Sequence, residues 1–201
     1  KGDWDKADSL EYIDKFNPIF VFSINFFPSI ADICKIHNIF YICWTVDSPV
    51  LELFSNSIKH ETNRIFLFDK AQYMRFAAYN PQAIHHLPLA ADIAHYNSVI
   101  NSINSFDRQT YACDISFVGS LYSEKNRLKA LTLSPYDTGY IDGIINSSLK
   151  VYGYNFIEEL ITDELIGDFK IAGATFPTQY NLDQNMEAYS IAHSYIGYQA
   201  A

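Results

Sequence analysis

Apolar residues gather in four short blocks, 19–24, 39–46, 65–68 and 115–118, with a weaker fifth at 83–87. Each block is strand-sized and rich in Ile, Val, Phe and Tyr. That is the composition of strands covered on both faces. Stretches of about 14 to 18 residues separate the earlier blocks, long enough for the helical crossovers that parallel strands require. The first carries Pro28 at a helix start, with Ile30, Ile33, Cys34 and His37 at helical spacing. In the second, Asp47 or Ser48 is placed to cap a helix with Pro49 in its first turn and Val50, Leu53 and Phe54 on its inner face. In the third, Asp69 caps a helix over 70–79 that Asn80-Pro81 ends. Strand, polar cap and helix recur in the doubly wound pattern.

After Tyr96 the pattern changes. Residues 97–109 are polar and read as a loop or a frayed helix, followed by a strand at 115–118 and a tight turn at Gly119-Ser120. Residues 128–133 suggest a short helix and 134–140 a turn. Ile141, Ile144, Ile145 and Leu149 mark a further helix, interrupted near Gly153. Phe156, Leu160 and Ile161 belong to an amphipathic helix whose Glu158, Glu159, Asp163 and Glu164 face water, and a last helix runs from Leu182 through Met186, Tyr189 and His193. The expected fold is α/β, a Rossmann-like and mostly parallel sheet flanked by helices over 1–122, with a helical extension over 123–201.

Composition narrows the partners. At 201 residues, 49% of them hydrophobic, the chain can bury a sizeable core. A net charge of −9, with the 14 basic residues scattered, excludes a phosphate-backbone track and so nucleic acid. No apolar run approaches the roughly 20 residues of a membrane span. Three cysteines, Cys34, Cys43 and Cys113, lack paired spacing; they read as reduced thiols buried as small hydrophobes in a cytoplasmic setting.

Candidate chemistry lies just past the predicted strands, at Asn25, Asp47-Ser48, Asp69, Pro88-Leu89-Ala90 and Gly119-Ser120. In a parallel sheet these ends share one edge, where α/β folds bind ligands. Asp47 would take a proton from a sugar hydroxyl or hold it by hydrogen bonds, or else serve as a helix cap. Trp44 would stack on a sugar ring or belong to the core. Strand alternation points His85 and His86 to opposite faces, so one imidazole reaches the rim as an acid/base or phosphate contact. No third ligand stands at metal spacing, and no P-loop, GxGxxG, GxSxG or HExxH occurs.

The segments YICWTVDSP (41–49), LPLAAD (87–92) and DISFVGSLY (114–122), in that order and spacing, resemble the CgeB-type, spore-maturation-protein-like glycosyltransferases of the GT-B plan. The resemblance implies the N-terminal, acceptor-side half of such a protein, with a nucleotide-sugar donor held by a second half that this chain does not contain. It implies no cofactor or metal in this chain. Asp47 and His86 are its catalytic candidates, and Asn25, Trp44, Ser48, Asp69, Gly119, Ser120 and Tyr122 its substrate-binding ones. The expected partner is a sugar or glycoconjugate acceptor, and transfer by this chain alone is not expected. The competing expectation is a non-enzymatic α/β interaction module that uses the tyrosine-rich C-terminal third.

Overall fold

The computed structural model describes residues 13, 15–119, 130–180 and 182–197. Four parallel strands, β1 (Phe20–Ile24), β2 (Phe40–Thr45), β3 (Asn63–Leu67) and β4 (Ile84–His86), pair in consecutive order. The register sets Ile24 beside Trp44, Trp44 beside Phe66 and Phe66 beside His85. The chain is thus an α/β protein with a Rossmann-like parallel sheet flanked by helices.

Crossovers between adjacent parallel strands are right-handed, so a consecutive order returns each connection over the same face. Tyr41, Cys43, Thr45, Ile65 and Leu67 point to that face and are fully buried. Helix α1 (Pro28–Ile36) covers it with Ala31, Ile33 and Cys34, two 3₁₀ turns (Leu51–Phe54 and Asn56–Lys59) with Leu53, Phe54 and Ile58, and α2 (Lys70–Phe76) with Phe76. The opposite face carries Phe20, Phe22, Ile24 and Phe40, all about half exposed. The sheet is therefore wound on one side, where the apolar runs predicted cover on both.

Two helix starts follow the sequence reading. Pro28 occupies the first turn of α1, and the Asp69 side chain accepts from Ala71 N–H to cap α2. The second crossover departs from it. Ser48-Pro49 is a cis peptide, and Val50 precedes the first 3₁₀ turn with no side-chain cap, so neither Asp47 nor Ser48 caps a helix there. The side-chain cap falls instead on Ser55, whose Oγ accepts from Ser57 N–H at 3.2 Å at the start of the second 3₁₀ turn.

Residues 89–121 form a compact unit of their own. Of the loop or frayed helix expected over 97–109, the helical alternative holds: α3 (Ile93–Ser102) is capped by Asp92, and α4 (Ser105–Tyr111) starts in a capping box of Asn104 with Asp107. Residues 115–118 are not a strand. Ile115, Phe117 and Val118 are largely exposed, and no strand among the unit's described residues offers them a ladder partner. Cys113 is likewise exposed, not buried.

The C-terminal stretch belongs to the same unit as the sheet. Ser134 and Pro135, expected in a turn, instead open α5 (Pro135–Ser148), with Ser134 accepting from Asp137 N–H. Leu131 and Leu133 lie outside any helix; residues 120–129, which carried the rest of the short-helix expectation together with Ser120 and Tyr122, fall outside the described residues. Helix α6 (Asp163–Ile171) and α7 (Met186–Ser190), which runs on as a π-helical turn (Ile191–Ile196), complete a second core around Phe169, Ile191 and Ile196. Met186 and Tyr189 pack instead into the core beneath the sheet, so α7 serves both clusters.

The benzene ring of Phe76 is fully buried, in edge contact with Phe54 at 4.9 Å. Phe76→Ala should cost about 3–5 kcal/mol in urea denaturation, whereas Ile171→Ala, at an exposed position, should change stability by less than about 0.5 kcal/mol.

Candidate functional site

Parallel pairing brings the C-terminal ends of β1, β2 and β3 to one edge, and four sequence candidates are tied there in two pairs, Asn25 with Asp47 and Ser48 with Asp69. Asn25 follows β1 with φ 64°, a left-handed conformation that asparagine tolerates better than most residues. Its Nδ2 donates to Asp47 Oδ2 at 2.6 Å, and its Oδ1 accepts from Val46 N–H at 2.9 Å. One amide side chain thus staples the end of β1 to the segment leaving β2 and aims the Asp47 carboxylate. Asp47 is exposed and carries a hydrogen bond from a neutral donor, so it stays open to a ligand on its other lone pairs.

A second pair stands beside it. Ser48 Oγ donates to Asp69 Oδ2 at 2.6 Å, while Asp69 Oδ1 takes the Ala71 N–H at 2.8 Å. Partial burial pushes the Asp69 carboxyl up, but hydrogen bonds from Ser48, Ala71 and Gln72 outweigh it and hold the group below the usual carboxylate range. Gln72, almost fully buried, locks the two strand ends together: its Oε1 accepts from Val50 N–H at 3.2 Å and its Nε2 donates to Asp47 O at 3.4 Å.

The Trp44 ring is half-buried, and its indole N–H donates to Leu87 O at 3.2 Å, so the side chain lies across the ends of β3 and β4. His85 and His86 separate to opposite faces as alternation requires. His85 stacks near Phe66 on the open face, whereas His86 meets Tyr73 and places Nε2 3.3 Å from Phe68 O. Gly119 lies in the 89–121 unit and its backbone is outside the left-handed region. The site assembled from described residues is therefore Asn25, Trp44, Asp47, Ser48, Asp69 and His86.

Sequence reading missed a second cluster on the same unit. Arg75 of α2 donates from Nη1 to Glu158 at 2.7 Å and from Nη2 to Asp183 at 3.0 Å, and its guanidinium sits 4.7 Å from the Tyr189 ring. Glu158, expected on a solvated face, is thus a partly buried ion-pair partner. His193, in the π-helical turn, stacks on Tyr189 at 4.3 Å. Burial lowers its pKa and Arg75 adds to that, against the opposing pull of Glu158 and Asp69. These partners lie more than 80 positions apart in sequence for Arg75 and Glu158, a spacing that no local motif reports.

Other groups are structural. Asp32 accepts from Ser57 Oγ at 2.7 Å and pairs with His60 Nε2 at 2.8 Å. The carboxylate lies between hydroxyl and imidazole, so the histidine does not activate the serine as a nucleophilic triad requires. Burial pushes the Cys34 thiol up to about 11 and the Cys43 thiol to about 12, which keeps both protonated and inert. Among the described residues no group of three His, Cys, Asp or Glu side chains could hold a metal ion, and no helix is long and apolar enough to cross a membrane.

No family model, curated protein or solved structure matches the chain.

The lowered pKa of the half-buried His193 makes stability pH-dependent. Unfolded histidine takes up a proton near its ordinary value of 6.5, while the folded group does so only at lower pH. Stability from this group is therefore full above that value and falls as the pH drops toward the folded pKa. Urea midpoints measured from pH 7.5 to pH 5 should decline with acid in the native chain, and decline less in His193→Gln.

Proposed function

We propose that the chain is the acceptor-side lobe of a glycosyltransferase-like protein, binding a sugar hydroxyl at the C-terminal edge of its sheet. The observation that carries this reading is the Asn25–Asp47 pair, which holds an exposed carboxylate at the end of β2 with a hydrogen-bond length of 2.6 Å. A carboxylate fixed on one oxygen suits a neutral polyol, because its remaining lone pairs accept from sugar hydroxyls. Asp69 and Ser48 extend the same polar rim, and the aromatic face of Trp44 offers the apolar surface on which a sugar's C–H groups pack. The resemblance of residues 41–49, 87–92 and 114–122 to CgeB-type sequences favours the same assignment, and a nucleotide-sugar donor would then be gripped by a separate half.

In this reading Asp47 accepts the proton of the acceptor hydroxyl as the sugar is transferred, and Asn25 positions it. His86 is the alternative base, at the end of β4, two strands across the sheet from β2. Transfer would form the bond from the acceptor oxygen to the anomeric carbon and release the nucleoside diphosphate.

Titration with simple glycosides at millimolar concentration, followed by NMR, tests the site. The Trp44 indole and Asn25 side-chain amide resonances should shift, and Asp47→Asn should weaken binding by about tenfold without changing the fold. In a transferase that includes the donor half, the same substitution should abolish transfer. Resonances that stay unmoved across hexoses, hexosamines and their disaccharides would count against a sugar site on this rim.

A further inference from the structure

The segments that follow β1 and β2 enclose a cavity separate from the rim. Its volume is about 600 Å³, within the roughly 300–1,000 Å³ usual for small-molecule sites. One wall is the start of α1, where Phe27 comes two residues after Asn25. The other is the pair of 3₁₀ turns, where Glu52 comes five residues after Asp47. The Asn25–Asp47 bond therefore joins the segments that lead into both walls. Gln179 and Tyr180 close a third side, and Leu182 N–H, donating to Phe54 O at 2.9 Å, fixes that stretch against the turns.

The polar groups of the cavity repeat the logic of the rim. Ser57 Oγ donates to Asp32 Oδ1 at 2.7 Å, and His60 Nε2 lies 2.8 Å from the same oxygen. Asp32 is thus pinned on one oxygen, as Asn25 pins Asp47, and its Oδ2 remains to accept. Glu52 adds a second carboxylate, while the hydroxyl of Ser29 and the side-chain amide of Gln179 add donors. Phe27 gives α1 no side-chain cap, so the Ser29 N–H in its first turn also lacks an intrahelical acceptor. The rings of Phe27, 42% exposed, and of half-buried Tyr180 supply apolar faces.

This lining selects its occupant. Among the described residues no lysine or arginine faces the cavity, so it lacks the counter-charge that a diphosphate or an acidic sugar demands, and its two carboxylates repel both. A neutral sugar ring donates and accepts through every hydroxyl and packs its C–H groups on aromatic faces, which is the combination present here. Building on the rim assignment made above, we propose that the cavity is a second sugar subsite and that the acceptor is a neutral oligosaccharide of at least two units, its reacting hydroxyl at Asp47. The unit held in the cavity touches no reacting atom and sets the length of chain that the rim accepts.

NMR titrations of the native chain with maltose, cellobiose and lactose, set against methyl glucoside, separate the two levels. At least one disaccharide should shift the Gln179 side-chain amide together with the Trp44 indole, and should bind about tenfold more tightly than methyl glucoside. Glu52→Gln combined with Gln179→Ala should bring the affinity for that disaccharide down to that for methyl glucoside, with the rest of the amide spectrum unchanged as the check on folding. Ile171→Ala, at a position 85% exposed on α6 and outside the cavity, should alter neither affinity. Rim shifts with a cavity silent toward all three disaccharides overturn the subsite and leave the rim reading standing. So does a folded double variant that binds the disaccharide as the native chain does. Cavity shifts with a silent rim, or no shift in either, overturn the two-unit acceptor and the rim reading together.

Discussion

Parallel pairing is the constraint from which the rest of this structure follows. Neighbouring strands that run the same way must be joined by a connection across the sheet, and right-handedness together with consecutive order keeps every connection on one face. That single rule buries Tyr41, Cys43, Ile65 and Leu67 under helices, leaves Phe20, Phe22 and Ile24 at the surface, and gathers the polar strand ends into one rim. Core, open face and candidate site are three results of one topology.

The rim is held by side chains and not by the ladder. β1 ends in a residue with positive φ, and the crossover after β2 begins without a capped helix, so neither strand end is fixed by regular structure. Asn25, Gln72 and Asp69 supply the missing bonds, each joining two segments at least 20 positions apart except where Asp69 caps its own helix. Beneath them, Arg75 ties α2 to Glu158 and Asp183 of the C-terminal stretch, and its guanidinium lies over the rings of Phe54 and Tyr189. Partly buried ion pairs contribute little net stability, but removing one partner strands the other, so this junction specifies how the C-terminal helices meet the sheet.

Sequence pattern identified the elements whose information is local. Pro28 and Asp69 announced α1 and α2, and the apolar blocks gave β1 to β4. The block at 115–118 has the same composition as a strand, yet composition does not supply a ladder partner, and none is present among the described residues of its unit. Asp47 was ambiguous because an aspartate before Ser-Pro reads as a cap. Its true bond runs to Asn25, 22 positions away, and becomes visible only when the strands are in register. Asn104 and Asp107 carried a capping box that the polar composition around them concealed. The Arg75 and His193 cluster left no pattern at all, since its members come from four separate segments.

The account rests most heavily on the claim that Asn25 and Asp47 act as one unit at the rim. A double-mutant cycle measures this directly, with Asn25→Gly, which keeps the left-handed backbone accessible, combined with Asp47→Ala in urea denaturation. A coupling energy of about 0.5–1 kcal/mol is predicted for this exposed, charge-assisted bond. Strictly additive losses would contradict the clamp, and with it the aimed carboxylate on which the sugar-binding reading depends.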